Sequence, residues 1–269
     1  ISVPLSYFSG IGKSSKEGIL IKGSDYIDTI KDIKEIIFDK TGTLTKGEFE
    51  IQEIQCFGNY SEQEVLRYAV MGERYSNHPI AKSIIKAYQG ELENVQEFKE
   101  IAGKGLSYQY SNKTVLIGNA QLAGFNENND SGSTKIYIRV GEELVGVISL
   151  GDTIKEGTKQ AIEQLKALGI KTSMFTGDSK NIAEKIGNEI GIENIKSEML
   201  PQDKYTELEK ILAPNKKVAF VGDGINDSPV LARADVGISM GGVGSESAIE
   251  ASDVVIMTDN VSKIIDAIK

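Results

Sequence analysis

A chain of 269 residues with 40% apolar content can bury a substantial core as one large or two medium domains. Its formal net charge of −9 argues against holding nucleic acid or anionic lipid through broad electrostatics, and leaves open a small anion held by local donors and a metal. One cysteine, Cys56, excludes an intrachain disulfide and a multi-cysteine zinc site and reads as a small buried hydrophobe.

No apolar run reaches spanning length and no signal peptide is visible, so the chain reads as soluble; its first residue, Ile1, suggests an excised piece or a processed product. In chain order, Gly18 to Gly23 reads as a short strand between turns. Residues 35–39 then form a buried strand that delivers Asp39 to the glycine-containing turn Asp39-Lys40-Thr41-Gly42-Thr43-Leu44-Thr45. From about Lys46 to Ser149 the texture changes. Helices over 61–75 and 79–88 precede short strands over 95–101, 106–110, 114–117, 135–140 and 144–149, which predict an antiparallel sheet in an inserted second domain. The polar tip over 126–132 reads as a mobile loop.

Beyond the insertion, Ile154, Ile162, Leu165 and Leu168 mark a helix face that stops at Gly169, followed by a strand over 171–175. A helix carrying Ile182, Ala183, Ile186 and Ile190 closes at Gly191, and another opens at Pro201. Strands over 217–221, 236–240 and 254–257 complete an alternating pattern. Such alternation predicts an α/β fold, a parallel sheet with helices on both faces. Ligands of these sheets bind beyond the carboxyl ends of the strands, where Asp39, Thr176 and Asp223 fall.

Those residue types suit phosphoryl chemistry. An ionised Asp39 can attack a phosphoryl group and hold it as an acyl phosphate if the charge on that group is neutralised. Lys204, Mg²⁺ and loop N–H groups can supply the neutralisation. Asp223 and Asp227, four apart across a glycine turn, offer hard oxygens to Mg²⁺, with the Asp39 carboxylate and the Thr41 carbonyl completing a small set. Thr176 offers a hydroxyl and a loop N–H to phosphate oxygens. Singly, Asp-Gly and Thr-Gly pairs are ordinary turn residues and Lys204 a solvated helix charge. Four such loops in one order, each at a strand end or the helix after it, point to one site.

The runs DKTGTLT at 39–45, TGD at 176–178 and GDGINDSP at 222–229 closely resemble the phosphorylation-domain signatures of P-type ATPases, within the haloacid dehalogenase superfamily. The resemblance spans the whole chain. It implies a Rossmann-like phosphorylation domain over 33–46 and 150–269, an α+β nucleotide-binding domain over 47–149, and a segment over 1–32 leading from a membrane part. It also implies an ATP-driven cation pump in which Asp39 takes the γ-phosphate of ATP and is later dephosphorylated. Lys204 and the loop Thr176-Gly177-Asp178 would then attend the phosphoryl group, and Asp223 would bind Mg²⁺ with Asn226 and Asp227 in support.

Within the insertion, Ser76-Asn77-His78-Pro79-Ile80-Ala81, preceded by Glu73, resembles the His-Pro element of pumps for heavy or transition metals. Gly103-Lys104-Gly105 and Ile117-Gly118-Asn119 resemble the same class's other nucleotide elements. An imidazole can stack on adenine, a carboxylate can accept from its amino group, and glycines let backbone approach phosphate and ribose. The plainer alternatives are a capping or packing His78 and hairpin glycines at Gly103 and Gly105. The wording of residues 1–23 is more similar to zinc, cadmium and lead pumps than to copper pumps.

No Thr-Gly-Glu loop of the kind the family uses for dephosphorylation is found. The chain is therefore expected to be the monomeric cytoplasmic loop of a plasma-membrane pump, binding ATP but unable to transport, with the actuator domain, the membrane helices and the transported cation's site elsewhere in the parent. Hinges are expected near 45–48 and near 150–153, where Asp152 sits. A soluble phosphatase of the same superfamily is a rival, but such enzymes usually carry a second aspartate two residues after the nucleophile, where this chain has Thr41. A nucleotide-binding regulatory module without chemistry is a second rival, against which Asp39, Lys204 and Asp223 argue together.

Overall fold

Six of the seven residues of the strand Ile33–Asp39 are buried, Lys34 being the exception. A strand without alternation must be covered on both faces, and this one lies in the middle of the larger of two sheets. The computed structural model describes residues 2–124, 134–223, 227–241 and 246–269. The polar tip over 126–132 and Asn226 lie outside them.

In chain order the elements are α1 (Ser2–Lys16), β1 (Ile19–Ile21), α2 (Ser24–Lys31), β2 (Ile33–Asp39), β3 (Thr45–Cys56), α3 (Glu62–Glu73), α4 (Pro79–Lys86), β4 (Gln96–Ile101), β5 (Gly105–Tyr110), β6 (Lys113–Gly118), α5 (Ala120–Ala123), β7 (Thr134–Val140) and β8 (Glu143–Ile154). Then come α6 (Thr158–Ala167), β9 (Lys171–Phe175), α7 (Lys180–Ile190), β10 (Asn194–Lys196), α8 (Pro201–Ile211), β11 (Lys217–Gly222), α9 (Ser228–Arg233), β12 (Val236–Met240), α10 (Glu246–Ala251), β13 (Val254–Ile256) and α11 (Lys263–Ile268). The chain divides into two compact units, residues 1–47 with 154–269, and residues 48–153.

The first unit holds a seven-stranded sheet in the order β1-β13-β12-β11-β2-β9-β10. All its pairings are parallel except β1 with β13, an antiparallel edge that the alternating sequence pattern does not announce. Successive side chains on the central strands enter different cores. Ile36, Phe38, Met174, Ala219 and Val221 pack in one cluster with Ala161, Ile162 and Leu165 of α6 and Ala183, Ile186 and Ile190 of α7. Ile37, Phe175, Val218 and Phe220 pack in another with Leu208 of α8 and Val230 and Leu231 of α9. Ile36, Ile37 and Phe38 have no exposed surface, and each such side chain contributes about 1.5–3 kcal/mol of transfer free energy. Within this core Glu35 is satisfied rather than free: it accepts from Ser173 Oγ at 2.6 Å and pairs with Lys216.

The second unit is a six-stranded sheet, β3-β8-β7-β6-β5-β4, antiparallel through β8-β7-β6-β5-β4. Helices α3 and α4 supply Val65, Ala69, Val70, Met71 and Ile84 to its core against Leu106, Tyr108, Val115, Ile117 and Ile138. Helix α3 starts at a reciprocal cap: Glu64 N–H donates to Ser61 Oγ at 3.3 Å, and Ser61 N–H to Glu64 Oε2 at 2.8 Å. The α/β expectation with a parallel and a separate antiparallel sheet therefore holds.

Three local readings need correction. Ile154 ends strand β8 instead of lying on a helix face, because the chain stays extended to Lys155 and α6 begins only after Gly157, whose φ of 77° breaks the continuity. Residues 45–56 form a twelve-residue strand at the sheet edge, where the sequence shows no apolar run. Cys56, at the end of that strand, is half-buried rather than buried.

Candidate active site

Strand register assembles the first unit's site. On β2, Phe38 is opposite Val221 of β11 and Asp39 opposite Phe175 of β9. Each of the three central strands therefore ends at the same edge, where Asp39, Thr176 and Asp223 follow or complete them.

Helix α8 brings Lys204 across 165 residues of sequence to donate to Asp39 Oδ1 at 2.5 Å. The same ammonium donates to Asp227 Oδ1 at 3.0 Å and Oδ2 at 3.3 Å. Asp39, Lys204 and Asp227 are all buried, at 7%, 8% and 1% exposure, so the cluster is shielded from water. Burial pushes the Asp39 carboxyl up to about 7; Asp227 and Asp223 push the same way, and Lys204 opposes them. Burial works against the charge on Lys204, but Asp39 and Asp227 outweigh it and hold its pKa above the ordinary value.

The turn after Asp39 is built for close approach. Gly42 adopts φ 75°, a conformation that favours glycine, and a Cβ there would fall 2.8 Å from Asp223 Oδ2 and push that carboxylate away from the turn. Thr41 is exposed, whereas Thr43 is fully buried and its hydroxyl has no hydrogen-bond partner among the described residues. Thr176 is buried, and its Oγ accepts from Asp178 N–H at 3.1 Å; Gly177 is exposed between them. Asp178 forms a 2.6 Å ion pair with buried Lys40. The structure thus brings together Asp39, Lys204, Asp227, Asp223 and the 176–178 loop.

Sequence reading missed two cations here. Lys40 is hidden inside the motif as an ordinary charge. Lys155 is buried, donating to the Gly42 carbonyl and to Asp259 Oδ1 at 2.6 Å, and no local pattern marks it. Three carboxylates, Asp39, Asp223 and Asp227, gather at the strand ends where Lys204 bonds two of them, a balance that suits a divalent cation. Both oxygens of Asp227 face Lys204, and Asp39 keeps its Oδ2 beside the Gly42 turn against which Asp223 lies. Among the described residues no group of three or more His, Cys, Asp or Glu side chains is placed to hold a metal ion by itself. Two carboxylates with a carbonyl nevertheless fit Mg²⁺, which keeps waters and shares substrate phosphates instead of demanding a full protein shell.

In the second unit, Glu73 ends α3 and is buried; burial first, then Glu100, pushes its carboxyl up to about 7. His78 is exposed and caps α4, its Nδ1 accepting from Ile80 N–H at 3.3 Å. Gly105 and Gly118 are register partners, and a Cβ on Gly105 would fall 2.0 Å from the Ile117 carbonyl oxygen. Asn119 caps α5 through Leu122 N–H and donates to the Gly103 carbonyl at 3.2 Å, tying the two glycine elements together. Gly103 is exposed at φ 70°, with open space where a Cβ would stand. His78, Gly105, Gly118 and Asn119 thus each have a local structural task.

Residues 33–235 match the model of the haloacid dehalogenase-like hydrolases. The chain belongs to this family. Among relatives of this family member, the cadmium, zinc and cobalt-transporting ATPase of Bacillus subtilis is 44% identical over 279 aligned residues, covering 100% of this chain and 40% of that protein. The chain thus spans about two fifths of the length of that relative. A zinc-transporting PIB-type ATPase solved in an E2.Pi state superposes with a TM-score of 0.92 at 32% identity, covering 100% of this chain and 46% of the other. The catalytic domain of the CPx-ATPase CopB-B, studied for conformational changes upon nucleotide binding, superposes with a TM-score of 0.75 at 30% identity, over 96% of this chain and 98% of that one.

Proposed function

We propose that this chain is the ATP-binding and phosphorylation part of a P-type ATPase that moves a heavy-metal cation of the zinc and cadmium class. The observation that carries the reading is the water-shielded cluster in which Lys204 joins Asp39 and Asp227 beside Asp223. A buried carboxylate at a strand end, matched by a cation and facing further hard oxygens, suits phosphoryl transfer.

Lys204 engages Asp39 Oδ1, which supports attack through Oδ2. Oδ2 forms the new bond to the γ-phosphorus as the bond to the β–γ bridging oxygen breaks, and ADP leaves with that electron pair. Asp39, Asp223 and the Thr41 carbonyl would hold Mg²⁺, with Asn226 and Asp227 in support; bound there, it neutralises charge on the transferring group. Lys204 offsets the same charge, Asp227 keeps Lys204 aimed, and Thr176, Gly177 and the unpartnered Thr43 hydroxyl offer donors to phosphoryl oxygens. Thr41, two residues after Asp39, carries a hydroxyl that does not ionise near neutral pH and cannot serve as general acid or base, so the acyl phosphate persists.

In the second unit Glu73 and His78 hold the adenine, with Gly103, Gly105, Gly118 and Asn119 beside the rest of the nucleotide. The cadmium, zinc and cobalt transport of the Bacillus subtilis relative supports a zinc or cadmium pump over a copper pump. Among the described residues no helix is long and apolar enough to cross a membrane. The transported cation, the membrane helices and the actuator domain belong to the parent protein, with this part on the cytoplasmic face of the plasma membrane.

The test is acid-quenched transfer of the γ-phosphate of ATP to the chain, which should give a hydroxylamine-labile adduct that Asp39→Asn abolishes while ATP binding persists. Rapid turnover of a small phosphomonoester without a trapped adduct would favour a phosphatase instead. Transport of Zn²⁺, Cd²⁺, Pb²⁺ and Cu⁺ by the parent protein identifies the cargo.

A further inference from the structure

The turn that presents Asp39 has three of its carbonyls occupied in alternation. Thr45 Oγ donates to the Lys40 carbonyl at 3.0 Å. The Lys155 ammonium donates to the Gly42 carbonyl. The Leu44 carbonyl accepts from Lys155 N–H at 3.0 Å and from Thr158 Oγ at 3.4 Å. Three of these donors come from the segment that re-enters the first unit directly after Ile154. Lys155 alone grips the turn twice, through backbone and side chain.

An ammonium with 4% exposure is costly to bury unless its partners are good, and Lys155 has a carbonyl on one side and Asp259, at 63% exposure, on the other. Solubility does not require such a lysine. We infer that Lys155 is a positioning residue for phosphoryl transfer: by fixing the Gly42 peptide it sets the direction of the turn that carries Asp39 and the Thr41 carbonyl. The inference rests on the proposed phosphorylation of Asp39. It acts through the turn, because Lys155 bonds to Gly42 and Asp259 and not to Asp39.

The experiment uses beryllofluoride with Mg²⁺, an acyl-phosphate mimic that tests the first unit without ATP, read by ¹⁹F NMR on the chain and its variants. Lys155→Met keeps the apolar stem and removes the donor. It should weaken the apparent beryllofluoride affinity about tenfold or more, the scale of one lost charge-assisted bond, with ATP affinity by calorimetry within about twofold of wild type. Lys155→Arg should recover most of the loss. Wild-type beryllofluoride affinity in Lys155→Met overturns the inference, as does a loss mirrored equally in ATP affinity. Should Lys155→Met fail to fold, Asp259→Asn carries the test: it frees the ammonium's exposed anchor and should weaken the adduct about threefold at unchanged melting temperature, and no change overturns the inference. Absence of any adduct on the wild-type chain would count against phosphoryl transfer at Asp39 and not against Lys155.

Discussion

Replacing Lys204 with methionine removes the cation from a buried cluster and leaves the apolar stem in place. In the folded chain its ammonium bonds Asp39 at 2.5 Å and both oxygens of Asp227 at 3.0 and 3.3 Å. Breaking one partner out of a buried pair costs about 3–5 kcal/mol, because the remaining charge is left uncompensated. Losing one preorganised electrostatic donor at a reacting oxyanion costs about 2.7–4 kcal/mol in activation free energy. The first cost is a loss of folding stability; the second predicts that Lys204→Met forms phosphoenzyme about a hundredfold to a thousandfold more slowly. Lys204 is also the group that opposes the upward push on Asp39, so its loss leaves a smaller fraction of Asp39 ionised at neutral pH. The assay is single-turnover incorporation of labelled γ-phosphate with saturating Mg²⁺, quenched in acid, beside calorimetric ATP binding. A variant that phosphorylates within about threefold of wild type would refute the assignment of Lys204 as the neutralising charge.

Glu73 gives a pH signature. Its folded pKa of about 7 lies above the ordinary 4.5, so between those values the folded state keeps a proton that the unfolded chain has released. Stability therefore falls as pH rises through this window, and above about pH 7 the full penalty is about 3 kcal/mol. Glu73→Gln should match wild type below about pH 4.5 and melt at higher temperature at about pH 8.5; equal melting curves at both pH values would exclude the effect. Gly105→Ala meets the Ile117 carbonyl at 2.0 Å with φ 141° and should destabilise by about 3 kcal/mol or more, whereas Gly103→Ala meets only its φ of 70° and should lose about 1–2 kcal/mol. Urea midpoints of the two variants check the order. Ser61→Ala removes the reciprocal cap of α3 and should lower stability by about 1 kcal/mol in the same assay.

Much of the first unit was legible because its strands are apolar runs ended by turn residues of types that suit phosphoryl chemistry: β2 before Asp39, β9 before Thr176, β11 before Asp223. Parallel register brings those ends to one edge. Less visible features have physical reasons. Strand β3 lies at a sheet edge and leaves most of its residues partly or fully in water, so Lys46 to Gln55 carry no buried run. Helix α1 contains Pro4, Gly10 and Gly12, weak helix formers that hide its periodicity. Strand β10 is three residues long and owes its place to pairing with β9. Lys155 depends on a partner 113 residues away, which no local pattern can announce. For Gly105 the structure gives the hairpin alternative a physical reason, since a Cβ there would fall 2.0 Å from the Ile117 carbonyl oxygen across the strand pair.

The bond from Lys155 N–H to the Leu44 carbonyl holds the outgoing and returning chain side by side where the insertion is spliced in. Each core cluster among the described residues draws on one unit only. The insertion is thus a cassette with a ready-made junction: a short glycine bridge in place of residues 48–153 should leave a folded, beryllofluoride-binding remnant. An unfolded remnant would mean that the cassette is a required part of the scaffold. On this view, modules of this kind can be exchanged between proteins without redesigning the site at which they are joined.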